Sequence, residues 1–292
     1  MQKLKFEKIV IVGLGLMGAS LAADIKKIKM AKTVIGVDTN SKHRQFCQRT
    51  KLVQKAQSQF NKNLYAADLI LLALPVRAIV NFMKEHGAQI SPATLVMDVG
   101  STKRSILKAA DQNLQHGQFV GCHPMAGTEK AGPTTAKPKL FQNKACFILP
   151  SSQSLPHNIQ KASQFWQALG SQVVMHDVRE HDQILASISH LPQLLASLLS
   201  IVVLSETRRD VAPSVKRGFR QFLGGGFKDM IRIASSPSVM WRDIFFDNAD
   251  NLLREITRLQ NKLALVKTAI RKKDLPALEA FMQEGAKLRK SL

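Results

Sequence analysis

From Ile9 to about Met175, short runs of apolar, often β-branched residues alternate with stretches in which apolar positions recur at helical spacing. Ile9–Val12 is such a run, as are Thr33–Val37, Asp68–Leu74, Thr94–Asp98 and Gln118–Gly121. Runs this short and this continuously apolar predict strands of a parallel sheet buried on both faces. Between them the spacing predicts helices continuing through Ala22 and Ile25, over Ser41–Arg49 with Ser41 as N-cap, over Val76–Glu85, and over Lys103–Gln112. Ala145–Leu149 and Gln172–Met175 read as the last strands, separated by a helix near Asn158–Leu169. Strand and helix in alternation predict an α/β fold, a Rossmann-type doubly wound parallel sheet.

Around Asp177 the pattern changes, and beyond Glu180 no strand is expected. Leu185–Leu204 is a very apolar helix with Pro192 near its middle or at a bend. Leu223–Phe227, with its glycine triplet, reads as a mobile loop. Ser238–Lys267 predicts one long amphipathic helix with Leu252, Ile256, Leu259, Leu263 and Val266 on a stripe, and Leu275–Lys290 a last helix. The expected division is therefore a dinucleotide-binding domain over 1–176 and an all-helical domain over 177–292. A wholly apolar helix in so small a helical domain is expected to hide in a homodimer interface; burial within the chain is the alternative.

The first strand runs directly into Gly13-x-Gly15-x-x-Gly18, which opens the first helix. In a dinucleotide fingerprint these glycines serve a tight turn, backbone approach to a pyrophosphate, and close helix–strand packing. The helix start presents free N–H groups to the phosphates. Asp38 ends the second strand twenty positions after Gly18, where an acid suits a ribose with free hydroxyls, hence NAD. Lys42 and Arg44 follow closely and carry the competing reading, a 2′-phosphate. The cofactor is expected to lie against Gly13, Gly15, Leu16, Met17 and Gly18, Asp38, the Leu74–Pro75 turn and Ser101, since ligands of such sheets sit outside the carboxyl ends of the strands.

The chain has 292 residues and a formal net charge of +21. That charge fits a nucleic-acid binder, a protein that steers anionic ligands, or a lysine-rich solvated surface. The basic residues are dispersed and no nucleic-acid motif occurs, which favours the solvated surface with some anion steering and no nucleic-acid partner. Cys47, Cys122 and Cys146 have no metal-ligand spacing and suit free thiols in a reducing cytoplasm. The basic N-terminus before an apolar run resembles a signal peptide, but that run holds the glycine fingerprint. No apolar run reaches membrane-spanning length without charges, Leu191–Leu204 being the nearest, so no membrane is expected.

His123 stands just past a strand end, in a loop at the carboxyl edge of the sheet. A neutral imidazole there can take a proton from an alcohol as hydride leaves its carbon; a surface histidine is the plainer reading. Ser101, at the neighbouring strand end, suits a hydrogen bond to the imidazole or to a substrate hydroxyl, or the N-cap of the helix from Lys103. His190 on the apolar helix reads as a satisfied core histidine. Arg232 is either paired with an acid such as Asp229 or reserved for a substrate carboxylate. Trp241 reads as core packing.

Together, Gly13-Leu-Gly-Leu-Met-Gly18, Asp98-Val-Gly-Ser-Thr-Lys103, His123-Pro-Met-Ala-Gly-Thr-Glu129, Ser189-His-Leu-Pro192 and Phe227–Asn248, with Arg232 and Met240-Trp-Arg-Asp-Ile244, resemble the prephenate/arogenate dehydrogenase family of tyrosine biosynthesis. The first motif is shared by many dehydrogenases; the other four together are specific. The resemblance implies a Rossmann domain followed by a helical substrate-binding and dimerisation domain. It implies oxidative decarboxylation of prephenate to 4-hydroxyphenylpyruvate with hydride transfer to NAD. His123 would accept the ring hydroxyl's proton, with Ser101 orienting His123 or that hydroxyl. Arg232 would grip a substrate carboxylate, His190 would line the pocket, Glu129 would gate it, and Trp241 would pack nearby. Some members carry a fused chorismate mutase or a C-terminal regulatory domain; here the helical pattern runs to Leu292 and is expected to leave room for neither, so tyrosine feedback, if present, would have to act at the active site.

Two further enzymes compete. Arogenate differs from prephenate only by an amino group for a keto group on the side chain, and the motifs do not separate them. A β-hydroxyacid dehydrogenase shares the glycine motif but relies on a lysine early in its helical domain, and Leu185–Leu204 contains none. A basic, NAD-binding regulator of nucleic acid would need a concentrated basic face.

Overall fold

The computed structural model describes residues 4–115, 117–128, 130–206 and 219–291. Eight strands, β1 (Phe6–Val12), β2 (Ala31–Val37), β3 (Lys55–Gln57), β4 (Leu69–Leu72), β5 (Leu95–Asp98), β6 (Phe119–Pro124), β7 (Ala145–Leu149) and β8 (Gln172–Met175), form one sheet in the order 3-2-1-4-5-6-7-8. All neighbours are parallel except β6 and β7. Helices α1 (Leu16–Lys27), α2 (Ser41–Arg49), α3 (Val76–His86), α4 (Arg104–Asn113) and α5 (Pro156–Ala168) connect the strands. The order reverses at β1, which is flanked by β2 and β4, so a crevice opens at the carboxyl ends of β1 and β4.

The continuous apolar runs follow from this layering. Ile9 and Ile11 of β1 enter one core with α1 and α5 residues, while Val10 and Val12 enter another beneath α3 and α4. Successive side chains of a strand point to opposite faces, so where the sheet is covered on both sides the middle of each strand is apolar at every position. Each fully buried side chain of this size stabilises the fold by about 1.5–3 kcal/mol.

Several boundaries differ from expectation. Asn40, not Ser41, caps α2, its side chain accepting from the Lys42 N–H at 2.9 Å. The edge strand β3 has three residues, too few for an apolar period to register. β6 runs on to Pro124, so His123 lies inside a strand, opposite Phe147 of antiparallel β7, rather than in a loop.

Beyond β8 the described chain is helical. The helix α6 (Val178–Leu185) passes through a π-helical turn, Ala186–His190, into α7 (Leu191–Ile201). Pro192 has no N–H for the carbonyl four residues back, and wider turns ahead of a proline accommodate that loss. The apolar helix therefore begins well before Leu185. By length and composition Val178–Leu204 is long and apolar enough to cross a membrane, and only 17 % of its apolar window is buried within the chain. Gly225 opens a helix, α8 (Gly225–Ile231), where a loop was expected. The single long helix is two, α9 (Ser238–Asp247) and α10 (Ala249–Lys272), broken at Asn248, whose side chain turns inward to polar partners. Of the expected stripe Leu252 is buried, but Leu263 is 57 % exposed in the single chain. The last helix, α11 (Leu275–Lys290), falls where expected and packs on α10.

Candidate active site

Gly13 adopts a left-handed φ of 95°, and a Cβ there would lie 2.3 Å from the Ala73 carbonyl oxygen on the facing strand end. A Cβ on Gly18 would sit 1.8 Å from the Gly13 oxygen. Gly15 differs: a Cβ would meet nothing within 4 Å, so its space opens onto the crevice. Gly15 is also the N-cap of α1, which has no capping side chain and no acid in its first turn. The N–H groups of Leu16, Met17 and Gly18 thus begin a helix whose positive end awaits an anion. Asp38 takes the Leu14 N–H on Oδ2 at 2.7 Å and the Asn40 N–H on Oδ1 at 2.7 Å, leaving lone pairs for further donors. Arg44 turns one guanidinium nitrogen to the carbonyl oxygens of Asp38 and Thr39, at 2.7 and 2.8 Å. Pro75 caps α3, and Leu74 packs against the core below the crevice. A helix start with free N–H groups beside an acid that directly follows β2 fits a dinucleotide.

At the carboxyl end of β5, Asp98 and Lys103 are both fully buried. Lys103 Nζ donates to Asp98 Oδ2 at 2.5 Å and to the Gly100 oxygen at 2.6 Å, while Asp98 Oδ1 accepts the Cys122 N–H at 3.1 Å. The pair pins the turn after β5 to β6, one residue before His123.

His123 Nδ1 lies 2.9 Å from His181 Nε2, and His181 Nδ1 lies 2.8 Å from Asp182 Oδ1. The Asp182 carboxylate also accepts the N–H groups of Lys103 and Arg104, at 3.1–3.2 Å, and so caps α4 from the other domain. These contacts set a direction. A carboxylate that accepts backbone donors is an acceptor for His181 Nδ1–H as well; with its proton there, His181 offers Nε2 as acceptor for His123 Nδ1–H. His123 is left with an unprotonated Nε2, the form of a general base. Burial, the Lys103 ammonium, His181 and His190 together push its pKa well below the ordinary imidazole value, so it stays neutral near pH 7. Ser101, half-buried at the β5 end, has no hydrogen bond to His123 and does not cap α4. The orienting partner expected in Ser101 is His181.

From the helical side, His190 is 1 % exposed and Trp241 packs edge-on against it, ring centroids 6.1 Å apart. Neither His190 Nε2 nor Trp241 Nε1 has a hydrogen-bond partner among the described residues, although both are buried. His190 is therefore not a satisfied core histidine. Burial, partly opposed by Asp182, lowers its pKa to about 4. Arg232 is exposed where α8 ends, in a tight turn held to α7 by a Gln193 to Ile233 hydrogen bond of 3.0 Å. Glu129 lies outside the described residues.

Two family models divide the chain between them: the nucleotide-binding domain of prephenate dehydrogenase matches residues 21–175, and the dimerization domain of prephenate dehydrogenase matches 177–284. The chain belongs to the prephenate dehydrogenase family. The prephenate dehydrogenase of Lactococcus lactis is 31 % identical over 289 residues, covering 98 % of this chain and 77 % of the relative. The crystal structure of prephenate dehydrogenase from A. aeolicus, in complex with hydroxyphenyl propionate and NAD+, superposes with a TM-score of 0.87 at 25 % identity and covers the whole of both chains. An arogenate dehydrogenase from Synechocystis superposes at 0.78 with 26 % identity, covering 97 % of this chain and 99 % of its own. The chain is thus an oxidoreductase with the family's two-part architecture, and its sheet domain is the nucleotide-binding one.

Within this family member, the glycine turn, Asp38 and His123 lie along the carboxyl edge of one sheet, and Trp241 packs against His190 on the helical side. Sequence reasoning missed His181, Asp182, Asn248 and the buried Asp98–Lys103 pair. For His181 and Asp182 the one signal in the sequence is an adjacent His and Asp in the first turns of the helix that opens the helical half.

Proposed function

We propose that the chain catalyses the NAD-dependent oxidative decarboxylation of prephenate to 4-hydroxyphenylpyruvate, the step toward tyrosine. The observation that carries this reading is the directed chain Asp182–His181–His123, which ends in a neutral imidazole acceptor at the cofactor edge of the sheet. NAD, held by the Gly13–Gly18 turn and by Asp38 through the ribose, supplies the hydride acceptor. His123 Nε2 takes the proton of the ring hydroxyl as hydride leaves the carbon that bears it. The ring carboxylate then departs as CO₂, its electron pair restoring aromaticity, and the proton on His123 returns to the phenolic oxygen. His181 and Asp182 hold the imidazole in the tautomer this requires. Ser101 orients the hydroxyl, Arg232 supplies a cation for a carboxylate, and Glu129 gates the pocket. His190 and Trp241 line it. The commitment of Arg44 to backbone oxygens favours NAD over NADP.

The division is 1–176 for cofactor and 177–292 for substrate binding and dimerisation. The exposed Ile184, Ile188 and Leu198 support a homodimer, because a water-soluble chain does not leave such a face bare. Three buried free thiols fit a cytoplasmic protein. The deciding experiment follows reduced nicotinamide formation with prephenate and with arogenate, each with NAD and NADP. Turnover on prephenate with NAD supports the proposal; a strong preference for arogenate overturns the substrate while leaving the mechanism. No turnover on either, from protein that binds NAD, overturns both.

A further inference from the structure

His190 Nδ1 lies 3.1 Å from Asn248 Nδ2, and the same Asn248 nitrogen lies 2.6 Å from the backbone oxygen of Asp182. A carbonyl oxygen can only accept, so Asn248 must turn its NH₂ toward Asp182 and His190. Its two hydrogens then go one to each neighbour, and His190 Nδ1 must be an acceptor. The opposite end of the chain agrees. Asn248 Oδ1 accepts from Asn251 Nδ2 at 2.7 Å, and Asn251 Oδ1 accepts from the Arg254 guanidinium, which can only donate. The three residues recur every third position, from the break before α10 into its first two turns, so one face of the helix carries the ladder inward.

We propose that this ladder locks His190 as the neutral tautomer with its proton on Nε2, making it a hydrogen-bond donor to a substrate oxygen, with Asn248 as the positioning residue. The identity of that oxygen rests on the reading under Proposed function; the tautomer does not. Independent support comes from the unpaired Nε2 itself. It is buried beside a second orphaned donor, Trp241 Nε1, and two adjacent buried donors call for an acceptor that is not part of the described chain. An imidazolium would point a second N–H at the Asn248 NH₂, and the pKa near 4 agrees that this form is avoided. The charged and titratable groups facing His190 are Asp182 and His181 of α6 and His123 of β6, and Asp182 is occupied in capping α4.

The π-turn is what allows the arrangement. Nine residues of uninterrupted α-helix make about two and a half turns, which would put His181 and His190 on opposite sides. The wider turn over Ala186–His190 lets both face inward, where they are 3 % and 1 % exposed.

The test begins with the full chain labelled with ¹⁵N-histidine. Long-range ¹H–¹⁵N correlations, with His190 assigned by loss of its signals in His190→Gln, report which ring nitrogen is protonated. The expected pattern is a bare Nδ1 and a protonated Nε2, unchanged from about pH 6 to 8. A protonated Nδ1, or an imidazolium at pH 7, overturns the proposal. In Asn248→Ala the two tautomers should mix, and the KM for prephenate should rise ~10-fold with kcat within about twofold, as expected for a lost ground-state contact. An unchanged KM and an unchanged tautomer in that variant also overturn it. If Asn248→Ala does not fold, Asn251→Ala, one rung outward, should broaden the His190 signals and raise KM about threefold. The expected tautomer in a protein that turns over neither prephenate nor arogenate would uphold the ladder and overturn the substrate reading alone.

Discussion

The two halves of the molecule bury their apolar residues in opposite ways. The sheet domain closes on itself: Ile9, Ile11, Leu69, Leu71 and Trp166 are wholly inaccessible within one chain. The helical half leaves Ile188 63 %, Leu198 46 %, Leu253 60 % and Leu265 66 % exposed. What the helical half buries well is polar: His181, Asp182, His190, Asn248 and Asn251 are all under 5 % exposed. A buried polar group left unpaired costs stability, so the hydrogen bonds these residues make are set by geometry, whereas the apolar ones lie exposed in the single chain. The sheet domain therefore gives the site its frame and the helical half its proton positions.

The comparison is broken most severely at the shared base. His123→Asn should keep the fold and cofactor affinity yet lower kcat about 1,000-fold, the scale of a lost general base. Stopped-flow and steady-state rates with prephenate check it; near-wild-type turnover would remove His123 from the chemistry. Asp182→Asn acts from the helical side. Its amide can donate to His181 Nδ1, which would reverse the relay and put the proton on His123 Nε2. A loss of ~100-fold in kcat is expected, with about 1 kcal/mol of stability lost from the α4 cap. If Asp182→Asn costs stability and leaves kcat untouched, the relay is structural only.

A third change separates the two modes of burial. Ile188→Glu is a surface substitution in a monomer, worth within about 0.5 kcal/mol. In a dimer that covers this face it buries a charge and should shift the protein to monomer at micromolar concentration, as sedimentation would show. Unchanged mass and thermal midpoint would mean that the face stays in water.

Much of the sheet half was legible because its physics is local. A two-faced strand writes an apolar run, a phosphate turn writes glycines, and Asp38 falls where the second strand must end. The misses there have local causes: β3 is too short to carry a period, and β6 is prolonged to His123 only by antiparallel pairing with β7. In the helical half the helical period is legible but the helix bounds are not: a helix opens at Gly225 where a loop is expected, and the single helix expected from Ser238 is broken at Asn248. Nothing local marks Asn248 as a helix break, because its preference is decided by the Asp182 carbonyl and His190, some sixty positions away. Ser101 was a reasonable partner for His123 by strand adjacency. The partner lies in His181 because the start of the helical domain folds back onto α4, and a contact 58 residues distant leaves no spacing to read.

Acid should expose the same contrast with the smallest effect. His123 and His190 both have folded pKa values below the ordinary value of about 6.5, the latter near 4. Below about pH 6.5 the unfolded chain binds protons that the folded chain refuses, so stability present above that pH is lost as pH falls. Each unit of depression corresponds to about 1.4 kcal/mol. Between pH 7 and 5 the thermal midpoint should fall by several degrees, and His190→Gln, which keeps a donor without a titrating ring, should fall by less. Activity should lag behind this loss. His123 remains a neutral base below 6.5, so kcat/KM holds nearly level to pH 6 and declines only as its lowered pKa is approached. A kcat/KM limb with a midpoint at or above 6.5 would show that burial and the Lys103 charge do not govern His123, and would place its control in the relay to Asp182 alone.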